Sequence, residues 1–310
     1  MNRTSKTFFS ILLVVFFCIG ISSCGKSERV ESKSKTNSPP VITSVAITPN
    51  QPTKENDLGL IVQGHDPDQD TVAYRFQWVK NDDEMVGENN NMLRSGSFKK
   101  ADMIQVKVTP SDGKTEGKPL LSAPVKILNS LPVIQEVRIE PRIAIARDDL
   151  KVSIESSDAD RDFIYYIYKW EKNGAVLSEE GKGILERDRF KKGDRIAVTV
   201  IPDDRETIGT LKRSEAIVIS NSPPVIISSP PTTTEGAKYL YQVKADDPDH
   251  DPITFILKSG PKGMEIDRNT GLIRWEIRKE DKGVYSVEVE GADNEGAKSN
   301  QQYQLTVEFK

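Results

Sequence analysis

Three clusters of alternating aspartates are the residues of this sequence whose types and spacing could do chemistry. Each cluster places three carboxylates at alternate positions, after a β-like run and before an aromatic one. Carboxylate oxygens are the ligands that Ca²⁺ takes, and a cation would relieve the repulsion among three adjacent negative charges. The alternative is a polar turn, because Asp bonds its own backbone and Pro presets φ. We name these clusters the first triplet (Asp66, Asp68, Asp70), the second triplet (Asp158, Asp160, Asp162) and the third triplet (Asp247, Asp249, Asp251).

The segments around the triplets recur along the chain. The motif Asn-Ser-Pro-Pro-Val-Ile begins at Asn37, returns with one Pro replaced by Leu at Asn129, and returns unchanged at Asn221, an interval of 92 residues each time. Such a period predicts tandem domains, and the Pro-rich joins predict short, semi-rigid hinges. The predicted organisation is a signal peptide at 1–23, a flexible tether at 24–38, unit 1 at 39–129, unit 2 at 130–221 and unit 3 at 222–310.

Each unit is predicted to be all-β. In unit 1, Tyr74, Phe76 and Trp78 alternate with polar residues, and the same pattern recurs in unit 2 at Tyr166, Tyr168 and Trp170. Alternation of this kind is typical of half-buried antiparallel strands, and several short strands separated by turns favour a β-sandwich. We expect Trp78 and Trp170 to anchor the cores. We expect the paired lysines Lys99-Lys100 and Lys191-Lys192 to be solvated loop charges.

Unit 3 carries an ordered series of short motifs. They include Ala245-Asp246-Asp247-Pro248-Asp249, Asn269-Thr270-Gly271-Leu272-Ile273 and Ala292-Asp293-Asn294-Glu295-Gly296. With these motifs, residues 223–310 resemble cadherin-like and dystroglycan-type bacterial immunoglobulin-like (Ig-like) domains. Units 1 and 2 look like more distant relatives, similar to polycystic-kidney-disease-type and bacterial Ig-like domains. The resemblance implies three tandem Ig-like or cadherin-like β-sandwich domains.

The same resemblance bears on calcium, which cadherins hold between domains. It implies Glu235, Asp247 and Asp249 as ligands, with Asp251 beside them and Asp293 where a late cadherin strand ends in aspartate. The linker that begins at Asn221 lacks the aspartates of a cadherin linker, which argues against a complete three-calcium cluster. The sequence leaves two readings open for unit 3, a calcium site or a polar turn. The same two readings apply to the first and second triplets.

The start of the chain has the features of an export signal. Arg3 and Lys6 precede an apolar run at residues 8–21, which is too short for a comfortable membrane span. The run ends in Ile-Ser-Ser-Cys at Cys24, which resembles a bacterial lipobox. This resemblance implies cleavage before Cys24, lipidation of its thiol and anchoring in a membrane. Because Gly25 follows in place of Asp, it favours the outer membrane of a bacterial envelope.

Composition argues against several classes of function. Only two histidines are present, the net charge is −4, and neither a Gly-x-Ser-x-Gly motif nor a basic stripe is found. We therefore predict no enzyme activity and no nucleic-acid partner.

The predicted function is that of a membrane-anchored envelope lipoprotein that binds a protein or polysaccharide through its array. The alternative is a structural spacer or accessory subunit of an envelope complex. Exposed aromatic patches at one end of the array would favour the binder, and the oligomeric state stays open.

Overall fold

The computed structural model describes residues 36–177, 181–234 and 236–308. The predicted signal peptide, the predicted lipidation site Cys24, most of the tether and the predicted calcium ligand Glu235 lie outside the described residues. Within the described ranges, helix is limited to three single turns of 3-10 helix, and no helix is long and apolar enough to cross a membrane. The all-β prediction is confirmed.

Unit 1 consists of two antiparallel sheets that enclose one apolar core. One sheet has the order β1-β2-β5, and the other has the order β4-β3-β6-β7, with β8 also paired to β6. Alternate residues face the core in the long central strands, as the sequence pattern predicts. The strands are β1 (Val41–Thr48), β2 (Leu58–His65), β3 (Ala73–Lys80), β4 (Asp83–Glu84), β5 (Met92–Leu93), β6 (Met103–Ser111), β7 (Leu120–Leu121) and β8 (Val125–Lys126).

Unit 2 repeats this arrangement strand for strand, with every long strand displaced by 92 residues. Its sheets have the orders β13-β10-β9 and β12-β11-β14-β15, and β16 also pairs with β14. The strands are β9 (Val133–Glu140), β10 (Leu150–Ser157), β11 (Tyr165–Lys172), β12 (Ala175–Val176), β13 (Ile184–Leu185), β14 (Arg195–Asp203), β15 (Lys212–Arg213) and β16 (Ile217–Val218).

Unit 3 is also built from sheets around one core, with a different strand order. Its largest sheet has the order β18-β25-β24-β21, in which β18 runs parallel to β25. The smaller sheets are β19-β23-β22 and β17-β20. The strands are β17 (Val225–Ile226), β18 (Thr233–Thr234), β19 (Lys238–Gln242), β20 (Ala245–Asp246), β21 (Thr254–Ser259), β22 (Glu265–Ile266), β23 (Leu272–Glu276), β24 (Gly283–Ala292) and β25 (Lys298–Val307).

Tryptophan lies at the centre of the first two cores. Trp78 and Trp170 are completely buried, as expected from the sequence. A buried indole needs a hydrogen-bond partner, and each ring nitrogen donates to a backbone carbonyl twelve residues further on. The acceptors are Asn90 at 2.9 Å and Lys182 at 3.0 Å. The largest side chain of each of these two cores is therefore fixed in position.

Candidate functional site

Each triplet forms a compact turn close to the start of its unit. In the third triplet, Oδ1 of the leading Asp247 accepts the backbone N–H groups of Asp249 at 2.8 Å and Asp251 at 3.3 Å. His250, between them, has a positive φ of 63°. The other two triplets have the same two bonds, and Gln69 and Arg161 have the same positive φ of 67°. The polar-turn reading therefore matches the geometry of all three triplets.

The Asn-Ser motif that leads into each unit is fastened to two aspartates of that unit. In unit 3, the backbone N–H of Ser222 donates to Oδ2 of Asp249, and the amide of Asn221 donates to Oδ2 of Asp293, both at 2.6 Å. We call this pair of bonds the Asn-Ser clamp. Units 1 and 2 form the same clamp at distances of 2.6 to 2.7 Å. The clamp restricts the hinge that the sequence predicts at each join.

A lysine of the preceding unit reaches across each join to the triplet of the next. Nζ of Lys192, in unit 2, contacts Asp251 and lies 2.8 Å from Oε1 of Glu295, both in unit 3. It also donates to Oδ1 of Asn221 at 3.0 Å. At the preceding join, Lys100 makes the same contacts with Asp162, Glu206 and Asn129. We call these the cross-join lysine contacts.

The expectation that these lysines are solvated loop charges is wrong for Lys100 and Lys192. Their side chains are only 24% and 25% exposed, respectively. They are held because three oxygen acceptors surround each ammonium group, namely two carboxylates of the next unit and the side-chain oxygen of the asparagine at the join. Ion pairs in such a partly desolvated environment are stronger than on an open surface. Each lysine supplies one positive charge beside three carboxylates, which is part of the role that the sequence analysis gives to calcium.

Unit 1 neutralises its triplet with a lysine of its own. Nζ of Lys114 lies 2.6 Å from Oδ2 of Asp70. Position 114 is equivalent to Glu206 in unit 2, 92 residues later, and that glutamate receives the cross-join lysine Lys100. The same position therefore carries the cation in unit 1 and an additional acceptor in unit 2. The change from Lys114 to Glu206 at equivalent positions is the feature of the sequence that could have predicted the cross-join contacts.

At the joins, the ionised forms of both the aspartates and the lysines are stabilised. Burial raises the pKa of Asp293, but hydrogen bonds from Asn221 and from backbone N–H groups outweigh it, so the pKa lies below the usual value. In unit 2, burial is likewise outweighed by bonds from Asn129 and Thr207, and the pKa of Asp204 falls to about 2. Bonds to Asp251 and then Glu295 raise the pKa of Lys192. The carboxylate contribution to stability is lost as the pH falls below about 4, and the lysine contribution is lost above about 10.

The triplets retain features that fit a cation. Oxygens of the second triplet lie within 4.8 Å of one another, and so do those of the third. Asp247 is 2% exposed, and its Oδ2 atom is buried without a hydrogen-bond partner, as is Oδ1 of Asp249. Oδ2 of Asp158 and Oδ1 of Asp160 are in the same situation. Buried acceptors without donors are costly, and a bound cation would satisfy them.

The predicted calcium ligands are only partly brought together. The described residues of the second and third triplets converge, whereas the first triplet forms no comparable group within the described chain. Asp293 is not in the converging group; it is linked to the third triplet through Asn221 and Ser222. The roles of Lys100, Lys192 and the Asn-Ser pairs were not predicted from the sequence, although all of them recur at the 92-residue interval.

A second candidate site lies on the outer face of the β11–β14 sheet in unit 2. Phe163 is 73% exposed and packs edge-on against Tyr165, with ring centroids 4.8 Å apart. The guanidinium carbon of Arg205 lies 3.9 Å from the centre of the Tyr165 ring, within cation–π range. We call the following set the apolar face: Phe163, Tyr165, Ile167, Ile201 and Ile208.

The equivalent surface of unit 1 is not apolar. At the five positions 92 residues earlier, the chain has Thr71, Ala73, Arg75, Thr109 and Glu116. Arg75 and Glu116 form an ion pair at 2.6 Å, at the positions of Ile167 and Ile208. Two units with the same strand order therefore differ in the same direction at all five positions. This comparison was available in the sequence, but it needed the strand register to show that the five positions share one surface.

Residues 223–308 match a family model described as "Putative Ig domain", so unit 3 is similar to Ig-like domains. A comparison with curated proteins gave no match.

Solved structures similar to the chain include three multi-domain proteins. Extracellular domains 3–5 of Drosophila OTK are 13% identical, with 82% of this chain and 91% of that chain covered and a TM-score of 0.29. The insect immune protein hemolin is 12% identical, with 88% and 72% covered and a TM-score of 0.36. The N-terminal eight Ig domains of Down syndrome cell adhesion molecule are 12% identical, with 88% and 37% covered and a TM-score of 0.37.

The cross-join contacts predict that Lys192 limits motion between units 2 and 3. Lys192→Met keeps the aliphatic stem and removes the charge, so we expect a broader distribution of distances between spin labels placed in the two units. Lys191→Met is the matched control, because Lys191 is the exposed neighbour and should leave the distribution unchanged. Pulsed electron spin resonance measures both distributions. Distance distributions of equal width for wild type and Lys192→Met would show that Lys192 does not limit motion between units 2 and 3.

Proposed function

We propose that the chain is a non-catalytic envelope protein that binds a macromolecular partner through its Ig-like array. The observation that carries this proposal is the apolar face of unit 2. Contiguous exposed apolar surface with aromatic residues and an arginine is typical of protein interaction sites. The polar character of the same surface in unit 1 supports a role specific to unit 2, since the fold alone does not require apolar residues there.

The alternative function, a structural spacer, is favoured by a different observation. The Asn-Ser clamps and the cross-join lysine contacts fasten consecutive units, as a spacer of fixed length would require. The two functions are compatible, because a stiff array would also hold the apolar face at a set distance from a membrane. The apolar face lies on the middle unit and not at one end of the array, where exposed aromatic residues would favour the binder.

A photo-crosslinking experiment separates the two functions. A photoreactive phenylalanine at Ile167 should form covalent adducts with a partner in intact membranes, because this position is on the apolar face. The same group at Arg75 is the matched control on the polar surface of unit 1. The proposal expects adducts at position 167 and none at 75. An absence of adducts at both positions, with the array still in a membrane complex, would favour the spacer.

The proposed location is the outer membrane of a bacterial envelope, through lipid on Cys24. Two or more acyl chains give durable anchoring, which a single chain does not. The change Cys24→Ala should therefore move the chain out of the membrane fraction or leave its signal peptide uncleaved. Fractionation after a high-salt wash measures this. Retention of Cys24→Ala in membranes at the wild-type level would contradict lipid anchoring.

We also propose that the third triplet binds Ca²⁺ weakly, with Asp247, Asp249 and Asp251 as the ligand-bearing residues. The buried acceptors without donors support this proposal, and Lys192 limits the affinity because it already places one positive charge there. Calcium usually takes six to eight oxygens, so three carboxylates need water or further ligands. The second triplet is a weaker candidate for the same reasons, and the first triplet weaker again. If Glu235 and Asp293 contribute, they do so in addition to the converging group.

The calcium proposal predicts a change in thermal stability. Millimolar Ca²⁺ should raise the melting temperature of unit 3 in the full chain, because a ligand that binds only the folded state stabilises it. The double change Asp247→Asn with Asp249→Asn should abolish this increase. Asp267→Asn is the control, since Asp267 caps a different turn of the same unit through the N–H groups of Asn269 and Thr270. Calorimetry with chelator and with calcium measures the shift, and identical melting temperatures in wild type would show that the triplet is only a turn.

A further inference from the structure

Within the described ranges, β11, which carries Tyr165 and Ile167 of the apolar face, is an edge strand over its first part. On one side, β14 pairs with β11 along its whole length, from Tyr165 to Lys172. On the other side, β12 pairs only with Glu171 and Lys172, and the carbonyl of Trp170 accepts the N–H of Leu177 at 2.8 Å. Among the described residues, no other strand extends this side of the sheet. Within the described ranges, the first part of β11 therefore has one unpaired backbone edge.

The backbone groups at this edge belong to two tyrosines. In an antiparallel ladder, successive residues direct their N–H and C=O groups to opposite sides of the strand. Since Trp170 bonds towards the β12 side, Tyr168 and Tyr166 direct their backbone groups the same way. Within the described ranges, no backbone group pairs with either of them on that side. An unpaired edge of this kind is a template for another strand unless the sequence protects it.

Unit 1 has a charge at the centre of the equivalent edge and unit 2 does not. In β3 the central outward residue is Arg75, a charge of the sort that discourages pairing between edge strands. In β11 the equivalent residue is Ile167, 43% exposed, with the exposed aromatics Tyr165 and Phe163 before it. The substitution of Arg by Ile at the centre of an open edge removes a protective device and adds apolar surface at the same position.

We propose that β11 pairs with β11 of a second copy of this chain, antiparallel, about a two-fold axis at Ile167. This inference deepens the proposed function and rests on it, because it names the partner of the apolar face. Such an interface is isologous, so each copy contributes the same residues. The sheet of unit 2 would then continue from one copy into the other, in the manner of strand addition.

The register about this axis brings complementary groups together. Ile167 faces Ile167 of the second copy as a non-hydrogen-bonded pair, in which side chains approach most closely. Tyr166 then faces Tyr168 of the second copy, and the two residues exchange both of their free backbone hydrogen bonds. Tyr165 faces Lys169 on the outer surface, an aromatic ring opposite an ammonium group. Asp203, opposite Tyr165 on β14, offsets the positive charges of Lys169 and Arg205 in that row.

The same register in unit 1 would be unfavourable. It would place Arg75 directly opposite Arg75 of the second copy, and like charges directly opposed across strands are destabilising. The choice of a second copy as occupant therefore rests on self-complementarity in unit 2 that unit 1 lacks. Other occupants, such as an extended segment of a different protein, are outcomes that the experiment distinguishes.

Disulfide trapping in the full chain tests the register. In a non-hydrogen-bonded pair the Cα atoms are about 4.5 Å apart, within the range that a disulfide spans. Ile167→Cys should therefore give a covalent dimer on a non-reducing gel after mild oxidation in detergent. Lys169→Cys should not, because the two copies of residue 169 would be offset by four residues, about 14 Å along the strand. Arg75→Cys is the control in unit 1, and the wild type gives the background from Cys18 and Cys24.

A second experiment measures the dimer directly and uses a variant designed to weaken the pairing of β11 with β11. The double variant Ile167→Arg with Ile208→Glu transfers the Arg75–Glu116 ion pair of unit 1 to unit 2. The same fold already accommodates this ion pair in unit 1. Sedimentation of the full chain in detergent should show a dimer for wild type. The double variant should raise the dissociation constant of the dimer at least about tenfold, because like-charge juxtaposition at an interface costs several kcal/mol. Its melting profile should still show a folded unit 2.

Two outcomes overturn the inference. Wild-type chain that stays monomeric at every concentration, or a dimer that the double variant does not weaken, excludes pairing through β11. Equal trapping at positions 167, 169 and 75 would show non-specific contact and also exclude this register. The proposed function fails separately: crosslinks from position 167 to a different protein, together with a monomeric chain, would leave the binding function in place and eliminate the second copy as the partner.

Discussion

Each unit of this protein holds three carboxylates side by side near its own beginning, and the arrangement of the array depends on how those charges are neutralised. Backbone N–H groups of the turn satisfy part of each triplet, and the Asn-Ser clamp satisfies more. Lysine supplies the positive charge. Because the lysine in units 2 and 3 comes from the unit before, the electrostatics of one unit are completed by its neighbour, and folding of a unit is linked to its place in the chain.

This dependence gives the array a direction. The end of unit 2 carries Lys192, and the start of unit 3 carries Asp251 and Glu295 to receive it. Unit 1 has Lys114 where unit 2 has Glu206, so a cross-join lysine approaching unit 1 would meet a like charge. Matched and mismatched charges of this kind specify which surfaces join, because repulsion at the wrong join contributes as much as attraction at the right one.

The all-β fold was predictable from the sequence because strand alternation and the 92-residue period are local or periodic signals. Trp78 and Trp170 were recognisable as core residues for the same reason. Lys192 was not, since its partners Asp251 and Glu295 are distant in sequence and only the geometry of the join brings them to one point. The triplets were recognisable as carboxylate clusters, but their turn bonds and the clamp depend on how the backbone folds. The apolar face could not be predicted without the strand register. Ile208 lies in the connection after β14 and reaches this surface through its bridge with Asp203.

The join between units 2 and 3 depends on Lys192 and Asp251 acting together. A double-mutant cycle with Lys192→Met and Asp251→Asn tests this claim most directly, with hydrogen exchange of the unit 3 core amides as the measure of its unfolding free energy. We expect strong non-additivity: either single change should destabilise unit 3, and the second change should add little to the first. If the two losses are simply additive, the pair is not coupled, and the cross-join contact does not hold the units together.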